Sequence, residues 1–248
     1  MEYNAFVTSI AVSTFYLIAS HRFLRLHGRT GMRPELWLGL YFALTGLYYL
    51  GLNLPSLVGL DSWPPVVGVV FEWVYVLGVF PYLLFIRSAF RPSSSWADFA
   101  VGICSAFLLV GTVLGTRNGP MDFSLANPCF LAQWVGYTIP CAWICCEALG
   151  LRRGAKKRAR IGLCPPVVAN RYLLLALFGG FQLLACFADL AWANDIGANQ
   201  TVSTASDLLL GFAEIASVSV LWLAFFPPLF YTDWIRRIAA ILPTPMDG

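Results

Sequence analysis

The sequence predicts an all-α protein that crosses a lipid bilayer seven times, and three observations carry the prediction. Of 248 residues, 58% are hydrophobic and only 12% charged, with a mean hydropathy of +0.70, whereas soluble domains carry about 25% charged residues. The apolar residues gather into runs near the ~20 residues that a helix needs to cross ~30 Å of hydrocarbon. Basic residues then alternate between the intervening loops, as Lys and Arg do in multi-pass proteins.

The runs extend, in order, from Ala5 to Leu24, Leu36 to Leu57, Pro65 to Phe90, Trp96 to Thr116, Cys129 to Leu151, Tyr172 to Ala193 and Ser203 to Tyr231. Hydrocarbon offers backbone groups no partners, so each run must be helical, and the ~10-residue alternating segments of a β-barrel are absent. Met1, Glu2, Tyr3 and Asn4 lack the basic start of a secretory signal. The run that follows is long enough to span, so no cleavage is expected.

Between the first two helices lie Arg22, Arg25, Arg29 and Arg33, and between the third and fourth lie Arg87 and Arg91. Arg152, Arg153, Lys156, Lys157, Arg158, Arg160 and Arg171 follow the fifth helix, and Arg236 and Arg237 follow the seventh. Arg117 is the one basic residue left for the opposite face. Dropping or adding a crossing would break the alternation, which therefore predicts the helix count and an orientation with the N-terminus outside and the C-terminus cytoplasmic. The cluster from Arg152 to Arg160 is first of all a topology signal, and it is also the candidate contact for a cytoplasmic partner or anionic lipid. Neither terminal tail is long enough to fold alone, so residues 1–248 read as one membrane domain. The seventh run closes with Pro227 and Pro228, which remove two backbone donors and kink or stop the helix as it leaves the bilayer.

Several chemistries are excluded. The only lysines, Lys156 and Lys157, sit in a loop, so no retinal Schiff base can form inside the bundle. His21 and His27 are too few for a di-iron site and sit at the inner edge of the first helix. No phosphate-binding glycine loop and no intramembrane-protease motif is present, and no cofactor or nucleic-acid partner is expected. Five of the seven cysteines, Cys104, Cys141, Cys145, Cys146 and Cys186, fall inside apolar runs without metal-ligand spacing, which reads as apolar filler rather than a disulfide framework.

What remains is a set of acids inside predicted spans: Glu72, Asp189, Asp207 and Glu214. An acid at a helix centre opposes insertion by about 2.5–3.5 kcal/mol, so such residues face the bundle interior or a wet cavity. Asp207 and Glu214 are two turns apart on one stripe, as are Gln182 and Asp189. At ~1.5 Å per residue, Glu72 lies roughly 10 Å below the outer boundary, Asp189 and Asp207 higher, and Glu214 and Gln182 near mid-depth. Tyr49, Trp73 and Tyr75 share those depths, and no Lys or Arg does. Without a built-in counter-ion the acids are protonated, hydrated or bound to a cation, and carboxyls beside aromatic faces suit an organic amine. The competing readings are headgroup-level polarity for Asp189 and Asp207, and interhelical hydrogen bonding for Glu214. Glu147 is expected to pair locally with Arg152 and Arg153, and the scattered Trp and Tyr to be mostly interface anchors.

Two stretches carry a resemblance: Arg160-Ile161-Gly162-Leu163-Cys164-Pro165-Pro166-Val167-Val168-Ala169-Asn170-Arg171, and Leu223-Ala224-Phe225-Phe226-Pro227-Pro228 with Trp234, Arg236 and Arg237 after it. They resemble bacterial seven-helix sensory modules of the kind that precede histidine kinase or diguanylate cyclase domains. The resemblance covers these stretches and the helix count, and it implies a bacterial inner-membrane protein that senses rather than catalyses. The chain departs from that pattern by stopping soon after the seventh helix, which implies output through a partner chain or through a further domain not included in these residues.

Three functions therefore compete. The first is a receptor or sensor module that binds a small cationic or apolar ligand through Tyr49, Glu72, Trp73, Tyr75, Gln182, Asp189, Asp207 and Glu214. The second is a transporter in which Glu72 and Glu214 exchange protons or cations, with Phe80-Pro81 and Phe226-Pro227 as faint echoes of an internal repeat. The third is a membrane enzyme acting on lipid or isoprenoid through paired carboxylates.

Overall fold

The computed structural model describes residues 2–58, 63–197, 204–231 and 233–235, except for the side chains of residues 2–9, 53, 56–58, 160, 195–197, 204–205 and 207. Among the described residues there are seven long helices: α1 (Glu2–Thr30), α2 (Arg33–Val58), α3 (Pro65–Phe90), α4 (Ser95–Gly115), α5 (Pro128–Arg160), α6 (Pro166–Gly197) and α7 (Thr204–Phe225). No strand occurs among the described residues. Five of the helices, α3 to α7, are long and apolar enough to cross a membrane. In α2 the apolar run is diluted by tyrosines and glycines.

Helix boundaries depart from the apolar runs where backbone chemistry, not hydropathy, decides them. α5 runs on through Arg160 because the segment after Leu151 is mostly Arg, Lys and Ala, all strong helix formers. It stops at Gly162, whose φ of 73° closes the end, with the Leu163 amide donating to the Arg158 carbonyl at 2.9 Å. α6 begins at Pro166 instead of Tyr172, since a proline in the first turn gives up only a donor that would be orphaned anyway. α7 ends at Phe225 instead of running to Tyr231, because Pro227 disfavours helical geometry at Phe226 and the two prolines donate nothing.

Consecutive helices pack side by side, and α1 closes the ring against α7. α3 also reaches α5, which leaves α4 on the outside. Its buried residues Ala97, Cys104, Leu108, Gly111 and Thr112 form one stripe, while Phe99, Ile103, Phe107, Val110 and Leu114 are exposed, a face that suits lipid tails. α5 and α6 approach at Gly179, where an added Cβ would stand 2.9 Å from the Cys141 carbonyl oxygen and 2.9 Å from the Cys145 nitrogen. Small residues allow this backbone proximity, which is the main source of packing energy between helices in lipid.

Charged groups tie helix ends together at one end of the bundle. Arg87 pairs with Asp98 at 2.6 Å, and Arg91 pairs with Glu147 at 2.8 Å while its guanidinium lies 5.8 Å from the Trp96 ring centre. Glu147 thus reaches across to the α3–α4 turn rather than along its own helix to Arg152 or Arg153. Residues three or four apart share a helix face, and those arginines lie further on than that. The adjacent carboxylate, hydrogen-bonded to it, raises the Arg91 guanidinium further above its ordinary range. On the same side, the Arg22 guanidinium lies 5.0 Å from the ring centre of Trp222, joining α1 to the last turns of α7.

Candidate functional site

The centre of the bundle is built from aromatic side chains that carry hydroxyls. Tyr16, Tyr41 and Tyr82 are among the largest fully buried side chains, and Tyr41 stacks on Tyr82 with ring centres 4.9 Å apart. A phenol in this position buries a large apolar ring, but its hydroxyl needs a partner inside the protein. Tyr16 and Tyr49 find theirs in one carboxyl group. Tyr16 on α1 donates to Oε2 of Glu214 on α7, and Tyr49 on α2 donates to Oε1 at 2.7 Å. The two phenol rings stack, with centres 5.9 Å apart and planes 4° from parallel.

A second set of bonds leads to the same residue through the backbone. Tyr137 on α5 donates to the Gln182 amide oxygen on α6. The Gln182 amide nitrogen donates to Ser217 Oγ at 2.7 Å, and Ser217 donates to the Glu214 carbonyl oxygen at 2.8 Å. Tyr41 lies 3.0 Å from the Tyr137 hydroxyl. Since each hydroxyl has one proton, the direction follows: Tyr41 donates to Tyr137, and donation proceeds through Gln182 and Ser217 to Glu214. Gln182 and Ser217 are completely buried, and Glu214 is 7% exposed. The network draws on α1, α2, α5, α6 and α7.

Two further acids have no such partners. Glu72 on α3 is 5% exposed, and among the described residues its side chain forms no hydrogen bond or ion pair. Asp189 on α6 is half-buried and likewise forms none among the described residues. Both stand within electrostatic reach of Tyr48, and Asp189 also of Tyr49, Tyr75 and Glu214. Tyr48 packs against Tyr49 and Tyr75, with ring centres at 5.5 and 5.0 Å, and Tyr75 packs against Tyr137 at 6.0 Å. The acids and the hydroxyl network therefore belong to one neighbourhood.

Of the residues singled out in the sequence, Tyr49, Tyr75, Glu72, Gln182, Asp189 and Glu214 come together here. Trp73 is half-buried and joins neither the ring stack nor the hydrogen-bond network among the described residues, since its side chain leaves α3 about 100° around from Glu72. The side chain of Asp207 lies outside the described residues. Tyr16, Tyr41 and Ser217 belong to the network without having been singled out. Tyr16 carried a signal in its place in mid-run, too deep for the ring's polar end to reach headgroups, whereas Tyr41 lies only five residues inside its run; these two with Tyr82 are core residues rather than interface anchors.

The arrangement combines one satisfied carboxyl with two that keep their acceptor capacity. Phenol donors supply Glu214 with what protonation, hydration or a cation would otherwise provide. Glu72 and Asp189, both within electrostatic reach of Tyr48, are the two that can receive a further donor. Among the described residues no group of three or more His, Cys, Asp or Glu is placed to hold a metal ion. Compared with known families, curated proteins and solved structures, the chain matches none.

Proposed function

We propose that the chain is a seven-span receptor or sensor module of a bacterial inner membrane, with its N-terminus outside and its C-terminus cytoplasmic. It binds a small organic cation in the outer half, between α2, α3, α6 and α7, and signals to a cytoplasmic partner. The observation that carries this reading is the state of Glu72, which is 5% exposed and lacks any hydrogen bond among the described residues, while Glu214 has both oxygens occupied. Holding an acid at such depth opposes insertion by up to about 2.5–3.5 kcal/mol, and a ligand with its own positive charge offsets that cost once bound. Tyr48 and Tyr75 add ring faces of the kind that attract ammonium groups. The resemblance to seven-helix sensory modules supports the signalling role.

Proton- or cation-coupled transport is the second reading. It is favoured by the Glu214 carboxyl itself, an ionisable group held deep in the bundle by the Tyr16 and Tyr49 hydroxyls, because carboxyls at such depth serve as proton-exchange sites. One preparation separates the two. Purified protein in proteoliposomes is titrated with a panel of small alkylammonium ions, from methylammonium to tetramethylammonium, and uptake of the tightest binder is followed with and without a pH gradient. A receptor shows saturable binding with no protein-dependent uptake. Uptake that is abolished by Glu214→Gln assigns the transporter, and absence of binding by the whole panel removes both.

A further inference from the structure

We infer that the cytoplasmic end of the α5–α6 hairpin is a docking surface for an acidic face of a protein partner. The inference rests on the membrane orientation proposed above. Glu147, paired with Arg91 next to Trp96, marks the inner boundary on α5. The helix does not stop there but continues through Arg160. At ~1.5 Å per residue, Lys157 stands about 15 Å beyond Glu147, whereas the headgroup layer adds only about 5–8 Å to each side of the hydrocarbon. Ala155 and Ala169 are both buried, so the two arms stay packed beyond the boundary.

Among the described residues, no acid balances the charge on this projection. Of the acids on the inner side, Glu35 accepts from Thr30, Asp98 holds Arg87, Glu147 holds Arg91, and Asp233 is engaged as well. Arg153, Lys156, Lys157 and Arg158 are exposed, and among the described residues they form no ion pair. At the tip, the turn around Gly162 leaves Ile161 69% and Leu163 74% exposed. A topology signal needs bases only at the boundary; it needs neither further helical turns nor two aliphatic side chains held out in water. Exposed aliphatic residues flanked by uncompensated bases fit a partner that offers carboxylates around an apolar depression. Anionic lipid fits less well, because the tip stands past the headgroups.

The test uses the full chain in its native membrane, with a photo-crosslinking amino acid at Ile161 or Leu163. The expected result is a discrete protein adduct that falls at least tenfold in Lys156→Glu/Lys157→Glu/Arg158→Glu and returns when acidic residues of the identified partner are changed to Lys. Adducts with phospholipid alone, no adduct, or an adduct indifferent to charge reversal would overturn the docking surface. Native Cys164, in the same turn, reports orientation separately when intact cells are treated with a membrane-impermeant maleimide and Cys164→Ser serves as the control. Protection from outside keeps the orientation even if docking fails, whereas labelling from outside refutes the orientation and the docking surface together.

Discussion

Glu214 illustrates how a buried acid can lack a base and still be satisfied. Its phenol donors come from residues 198 and 165 positions away in the chain. That is why the carboxyl was legible in the sequence as a residue needing explanation while its partners were not: an acid without Lys or Arg at its depth can be read along one helix, but a donor on another helix depends on packing. Removing one donor strands part of a buried charged or polar group, which costs about 1–3 kcal/mol. Tyr16→Phe and Tyr49→Phe are therefore each expected to destabilise the protein by that amount, read as a lower unfolding temperature in detergent. Glu72 behaves differently. It has no hydrogen bond to lose among the described residues, so Glu72→Gln is expected to leave the unfolding temperature unchanged or raise it.

At the scale of the helices, the apolar runs located all seven elements because hydropathy and helix formation coincide inside hydrocarbon. They parted company at the ends. α5 outran its apolar segment on Ala, Lys and Arg, and α7 stopped short of Tyr231 at Pro227, so local propensity decided both limits. Interhelical distance was not legible at all, since Gly179 and Gly180 are equivalent in sequence. A Cβ on Gly179 would meet Ile144 Cγ2 at 2.6 Å and backbone atoms of α5 at 2.9 Å, while a Cβ on Gly180 meets nothing within 4 Å. Gly179→Ala must push α5 and α6 apart and is expected to cost about 1–3 kcal/mol. Gly180→Ala is expected to be neutral or to gain up to about 1 kcal/mol from helix propensity. Paired thermal melts decide the matter, and equal effects would contradict the close contact.

For the whole molecule, the ring of helices brings residues from both ends of the chain to one centre, α1 and α2 supplying the phenols and α7 the carboxyl. The proposed seven-span orientation makes a separate prediction: single cysteines introduced at Arg117 and Asp122 are labelled by an impermeant maleimide from outside intact cells, and those at Arg29 and Arg91 only after lysis. The proposed function rests on Glu72 and Asp189, the two carboxyls that have no hydrogen bond or ion pair among the described residues. The most direct test titrates purified wild-type protein and Glu72→Gln with the same alkylammonium panel under conditions in which both remain folded by their unfolding temperatures. A ligand site at Glu72 predicts saturable binding to the wild type and at least a tenfold weaker affinity in the variant. Equal affinity in the two folded proteins would contradict it.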